Sequence, residues 1–253
     1  MLIDAHVHIF PSVDGYGPKG HTHGAGYGRI DAGDGIAQDV LPAINENTSH
    51  TLQMLLHEMR QAQVDKAVLI LCPCYGDWSE YVLQACRDYP EQFTASAFFD
   101  PWSPAARQYY AEKLEGSLWK NIKIEFSEAG GLYGVYPGVQ LDAPELRWLW
   151  EAMEAGGKTV SFDLGRPGDG SYQTDQIASI AKRHPGLKIV LCHMGQPSRA
   201  AERNPELWSA WLEQIRLGTL PNVWFDLSAL PYHVQKEEAV SYTHLRAHET
   251  SAH

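Results

Sequence analysis

Long hydrophobic runs are missing from these 253 residues: nowhere do about 18 apolar residues follow one another, the minimum for a helix that crosses a bilayer. Positive charge is scarce as well. Lysine and arginine number 20 against 31 aspartates and glutamates, for a formal net charge of −11. That balance argues against partners such as nucleic acid or an anionic membrane surface, which call for a concentrated positive field. Cysteine is limited to Cys72, Cys74, Cys86 and Cys192, too few and too scattered to staple a chain of this size, so free thiols are expected. Cys72-Pro-Cys74 has neither zinc-ribbon nor C-x-x-C spacing, and both residues read as small buried side chains. The opening MLIDAHVHIF has no basic n-region and no small-residue cleavage site, which points to the cytoplasm.

With 44% hydrophobic and 20% charged residues, the chain can build one sizeable core. Its periodicity repeats one theme: a short β-branched run, a turn, then apolar positions at helical spacing. The strand-like runs are Leu2–Ile9, Lys66–Cys72, Phe93–Phe99, Asn121–Phe126, Thr159–Asp163, Lys188–Cys192 and Asn222–Ser228. Between them lie helical stretches, the first with Leu52, Leu55, Leu56 and Met59 on one face, then Trp78–Tyr89, Pro104–Gly116, Pro144–Ala155, Thr174–His184 and Pro205–Leu217. Alternation at this period predicts an α/β fold with a parallel sheet, a (β/α)₈ barrel of the TIM type. No Pro/Ser-rich linker divides it.

Two segments break the pattern. Pro11–Asn47 is a Gly-rich excursion after the first strand, expected to be a long active-site loop, and its His21-Thr22-His23, a second H-x-H, reads as part of a mobile loop in preference to a second metal site. At the other end, Ala229–His253 is too short for the helix and eighth strand that closure needs. SYTHLRAHETSAH has no apolar run for a buried strand. The expected barrel domain is therefore 1–239, truncated before its eighth strand, with 240–253 a non-native tail. The open edges of the first and seventh strands are surfaces that a second subunit can cover, so a homo-oligomer is one outcome.

Chemistry concentrates at strand ends. In Asp4-Ala5-His6-Val7-His8, strand alternation puts Asp4, His6 and His8 on one face, directed into the barrel. Two imidazoles there are costly to bury unless something satisfies them, and a divalent metal does so. His193 follows an apolar strand in register with Ile189 and Leu191 and is placed at the barrel mouth as a metal-site residue. Lys123 and Glu125 share an inward face, either as a buried ion pair or as substrate contacts; Ser161 and Asp163 also point inward. Asp226 has the same parity, with a structural hydrogen-bonding role equally open. Arg166, just past the fifth strand, is a candidate for a substrate carboxylate. His50, His57, His184 and His233 read as helix-surface or loop residues.

IDAHVHIF, NIKIEF, VLCHMG and VWFDLS together resemble the amidohydrolase-related family, the branch of the amidohydrolase superfamily with amino-carboxymuconate-semialdehyde decarboxylase, resorcylate-type decarboxylases and sugar or pyrone lactonases. The likeness covers roughly residues 1–230. It implies a distorted (β/α)₈ barrel with one divalent metal, zinc before manganese. His6 and His8 match the first-strand ligands, and His193 matches the sixth-strand histidine beside the metal. Two departures stand out: Asp163 occupies the place of a fifth-strand histidine ligand, and the eighth-strand aspartate that holds metal and shuttles a proton has no counterpart. Asp163 can still ligate through oxygen, which makes the metal set unusual; the missing aspartate implies weakened metal binding and turnover, and some lactonases of this branch work without metal. The implied reaction is hydrolysis of a small lactone, amide or ester of an organic acid. An ion in such a site acidifies water to a pKa of about 7, and His193 stabilises or protonates the oxyanion, a role worth about 10²–10³ in rate. Non-oxidative decarboxylation and an inactive truncated barrel are the alternatives.

Overall fold

The seven apolar runs form seven parallel strands, in the order β1 (Ile3–Val7), β6 (Lys66–Ile70), β7 (Phe93–Phe98), β8 (Trp119–Glu125), β9 (Thr159–Asp163), β10 (Lys188–Leu191) and β11 (Val223–Phe225). Four further strands precede β6: β2 (Asp14–Gly17), β3 (Gly20–Gly24), β4 (Arg29–Asp31) and β5 (Ala37–Asp39). This is α/β architecture with the topology of a (β/α)₈ barrel through its seventh strand. The computed structural model describes residues 1–17, 19–43 and 45–229. The expected non-native tail at 240–253, and His233, lie outside the described residues. The chain divides into two compact units, Met1–Lys123 and Ile124–His253, and β8 passes from one into the other.

In the first unit β6 pairs with β1 and β7, and β7 pairs with β8. Helix α1 (Leu52–Ala62) buries Leu55, Leu56 and Met59, the stripe its spacing predicts. Its first turn is capped by Thr51, whose Oγ1 accepts from Met54 N at 3.3 Å. Helix α2 (Ser79–Asp88) buries Val82, Ala85 and Cys86. The stretch expected to be helical from Pro104 starts at Ala106 instead, as α3 (Ala106–Tyr109), and widens into a π turn over Tyr110–Leu114.

The Gly-rich excursion is not the mobile loop expected of it. It folds as an antiparallel sheet, β2-β3-β4-β5, with its own cluster of Phe10, Val13 and Ile30 packed against Leu41, Tyr75 and Trp78. Glycine makes the seating possible: a Cβ on Gly15 would overlap the Pro73 carbonyl, so β2 lies directly on the Cys72–Gly76 turn, with Tyr16 N bonded to Pro73 O at 2.9 Å. That turn also corrects the expectation of free thiols. Tyr75 N and Gly76 N bond back to Cys72 O and Pro73 O, which folds the segment on itself, brings the Cα atoms of Cys72 and Cys74 to 5.3 Å and pairs them in a disulfide. Cys86 and Cys192 are buried thiols outside the disulfide.

In the second unit β10 lies between β9 and β11. After a short helix α4 (Leu132–Val135), helices α5 (Arg147–Ala155), α6 (Thr174–Arg183) and α7 (Pro205–Ile215) cover the strands with Leu149, Trp150 and Met153, with Ile177, Ile180 and Ala181, and with Trp211 and Ile215. Asn204 caps α7, its Oδ1 accepting from Glu206 N at 2.9 Å, and Pro205 occupies the first turn as expected. His184, expected at the surface, is buried, with Nδ1 3.1 Å from Glu154.

Candidate active site

β1 alternates only in part. Its register with β6 slips between Asp4 and Val7. Asp4 is exposed and accepts from His6 N at 3.1 Å. His6 and His8 remain neighbours, half-buried, with ring centroids 5.1 Å apart and nearly perpendicular planes. His8 Nδ1 lies 2.8 Å from Ile70 O, a carbonyl that can only accept. Nδ1 therefore carries a proton, which leaves Nε2 as the nitrogen a metal ion would take. His50, read from sequence as peripheral, fixes this strand end. Its Nδ1 donates to His8 O at 2.7 Å, its Nε2 meets Glu58 at 3.0 Å, and its backbone exchanges hydrogen bonds with Phe10.

Lys123 sits 4% exposed near the end of β8, beside Asn121, whose Oδ1 accepts from Ser96 Oγ at 2.6 Å. Burial raises the Tyr75 phenol above its ordinary range, and the Lys123 charge partly offsets that rise. A cavity of about 410 Å³ opens where β6 and β7 end, walled by Leu71, Cys72 and Phe98 and by Asp14 and Tyr16 of the small sheet. Its size is that of a small-molecule cleft.

The second unit holds an acid–base group. Asp163 is buried at the end of β9; Oδ1 accepts from Gln196 Nε2 at 3.0 Å, and Oδ2 lies 3.2 Å from His193 Nε2. On the far side of the ring, His193 Nδ1 lies 2.8 Å from Ser228 Oγ, whose own hydrogen goes to Asp226. Both nitrogens thus lie against oxygen atoms of neighbouring groups. Glu125, half-buried at the end of β8, accepts from Ser127 Oγ at 2.8 Å. Arg166 is exposed on a turn, its Nε 3.7 Å from Asp169.

His193 does not continue the strand register as its spacing predicts. β10 ends at Leu191, and His193, Met194, Gly195 and Gln196 all take positive φ, at 56°, 53°, 68° and 49°. For residues other than glycine this left-handed turn costs about 1–2 kcal/mol each. Distant partners hold it: Met194 N donates to Asp226 O at 2.7 Å, His193 N to Asp226 Oδ1 at 2.8 Å, Tyr172 OH to Gly195 O at 2.8 Å, and Trp211 Nε1 to Met194 O at 2.9 Å. Asp226 therefore shows the structural bonds that the sequence left open. Gln196, Ser228 and Tyr172 escaped the sequence reading, and only the pairing of Met194-Gly195 with a following polar residue hinted at a turn there.

His6, His8, Lys123, Glu125, Asp163 and His193 share one topological feature. Each lies at, or just beyond, the carboxyl end of a parallel strand, the end from which barrel enzymes build their active sites.

A family model described as amidohydrolase matches residues 3–249. The chain matches no curated protein. Among solved structures it is similar to a probable 2-pyrone-4,6-dicarboxylic acid hydrolase from Acinetobacter baumannii with citric acid bound, at 15% identity over 90% of this chain and 70% of that one, TM-score 0.57. It is also similar to an amidohydrolase from Burkholderia multivorans. With HEPES bound, that structure gives 20% identity over 91% and 70% of the two chains, TM-score 0.60; with zinc bound, 16% over 90% and 69%, TM-score 0.57.

Proposed function

The chain belongs to the amidohydrolase family, and from that premise we propose that it is a metal-dependent hydrolase opening a small lactone, amide or ester of an organic acid. What supports the reading most is the buried Asp163–His193 pair on a strained, tightly held turn, since strain of this kind is kept where geometry matters to chemistry. His6 and His8 would hold the divalent ion, zinc or manganese; the His8 tautomer fits that role. When bound, the ion would supply Lewis acidity, polarising the substrate carbonyl and acidifying water.

The chain's own residues do the rest. His193, set between Asp163 and Ser228, would stabilise or protonate the oxygen that gains charge, and Asp163 would orient the ring. We assign His193 to the metal site beside His6, where it would also serve proton transfer. Lys123 and Glu125 are assigned to substrate binding, as is Arg166, which would have to turn from Asp169 to reach it.

The test pairs composition with turnover. Protein purified without chelator should contain a divalent metal, and His6→Ala should lower that content by one equivalent. A lactone panel should yield acid, whereas hydroxybenzoates should release no CO₂; Asp163→Asn should cut kcat by about 10²–10³ and leave metal content alone. Unchanged metal in His6→Ala, or CO₂ release without acid release, would refute the proposal.

A further inference from the structure

We infer that His21, His23 and Asp14 form a second site, for a divalent transition-metal ion, on the outer face of the small antiparallel sheet. β3 turns Thr22 inward, where it is 2% exposed and its Oγ1 donates to Cys74 O at 2.5 Å. Alternation then sends His21 and His23 outward together. Their rings lie nearly parallel, 16° apart in plane with centroids separated by 6.0 Å.

The ladder supplies carboxylates on both sides. His23 stands opposite Asp14 on β2 and opposite Asp31 on β4. Asp14 Oδ1 also lies 2.7 Å from His21 Nε2, so this carboxylate neighbours both imidazoles. A proton joins His21 to Asp14, in the place that an imidazole-seeking ion would take. Asp31 commits Oδ1 to the amides of Gly33, Asp34 and Gly35 and faces His23 Nε2 with Oδ2 at 3.9 Å, which suits it to orienting that ring. Lys19, just before β3, does not compete, since its Nζ is held by Asp34 at 2.6 Å.

His21, His23 and Asp14 are 49%, 52% and 74% exposed, so an ion reaches them and the side chains can swing to close on it. Two nitrogens with a single carboxylate select zinc, nickel or copper over magnesium or calcium, which need more oxygens.

Zn²⁺ titration of the metal-free full chain by calorimetry tests this. The double variant His21→Ala/His23→Ala should lose one equivalent relative to wild type while its metal-free circular dichroism and thermal midpoint stay the same. Asp14→Asn should weaken that equivalent about 10-fold. His6→Ala/His8→Ala should keep it. Substoichiometric Cu²⁺ should broaden the amide resonances of residues 14, 21–23 and 31 first. The inference fails if the double variant binds as many ions as wild type with the same affinity, or if broadening begins elsewhere, for instance at the histidines of 244–253.

Discussion

Removing one oxygen atom, in Tyr172→Phe, probes how the acid–base turn is held. Three non-glycine residues in the left-handed region store about 3–6 kcal/mol of strain. Five hydrogen bonds oppose it, four from distant partners and Gln196 N to His193 O at 2.9 Å, and at a net 0.5–1.5 each they supply about 2.5–7.5 kcal/mol. The two totals nearly cancel, so the turn has little to spare. Tyr172 bonds to a buried carbonyl, that of Gly195, and deleting the hydroxyl strands it at a cost of about 1–3 kcal/mol. Urea unfolding should show a lower midpoint at unchanged slope, and kcat should fall although Tyr172 lies outside the proposed chemistry. Because strain is released as the bonds are lost, Trp211→Phe added to Tyr172→Phe should cost less than the two changes separately. A Tyr172→Phe midpoint indistinguishable from wild type, or strict additivity in the double variant, would show that the turn is not held in this way.

Stability should also fall in alkali. Burial pushes the phenols of Tyr75, Tyr109, Tyr110 and Tyr172 above their ordinary 10.0, Tyr110 to about 12. The unfolded chain therefore ionises first: stability is intact below pH 10 and declines as pH climbs toward 12, readable as urea midpoints beside absorbance at 295 nm. A midpoint constant across that window would count against buried phenols. Thiol counting addresses the disulfide: the native protein should not react at mildly alkaline pH, because Cys86 and Cys192 are buried and the Cys86 thiol is pushed up to about 11. Two thiols should appear on denaturation and four only after reduction; four without reductant would mean that Cys72 and Cys74 are not joined.

Periodicity carried the architecture because it records burial directly. A strand flanked on both faces, such as Lys188–Leu191, is apolar except where it starts, so its boundaries are written in the local sequence. The same logic located His6, His8, Lys123, Glu125 and Asp163 at the carboxyl ends of strands. It failed where the backbone departs from a regular repeat. The glycines of residues 15–35, which read as looseness, are instead the clearance that lets β2 lie against the Cys72–Gly76 turn.

Residue type and spacing by themselves determined which side chains stand at which strand ends, since both follow from a period of two or 3.6 and the need to bury one face. How the backbone presents His193 there was decided only in the tertiary structure. Its left-handed turn is imposed by partners 17, 23 and 33 residues away, and a conformation that the local chain disfavours exists only while those distant hydrogen bonds outweigh its strain.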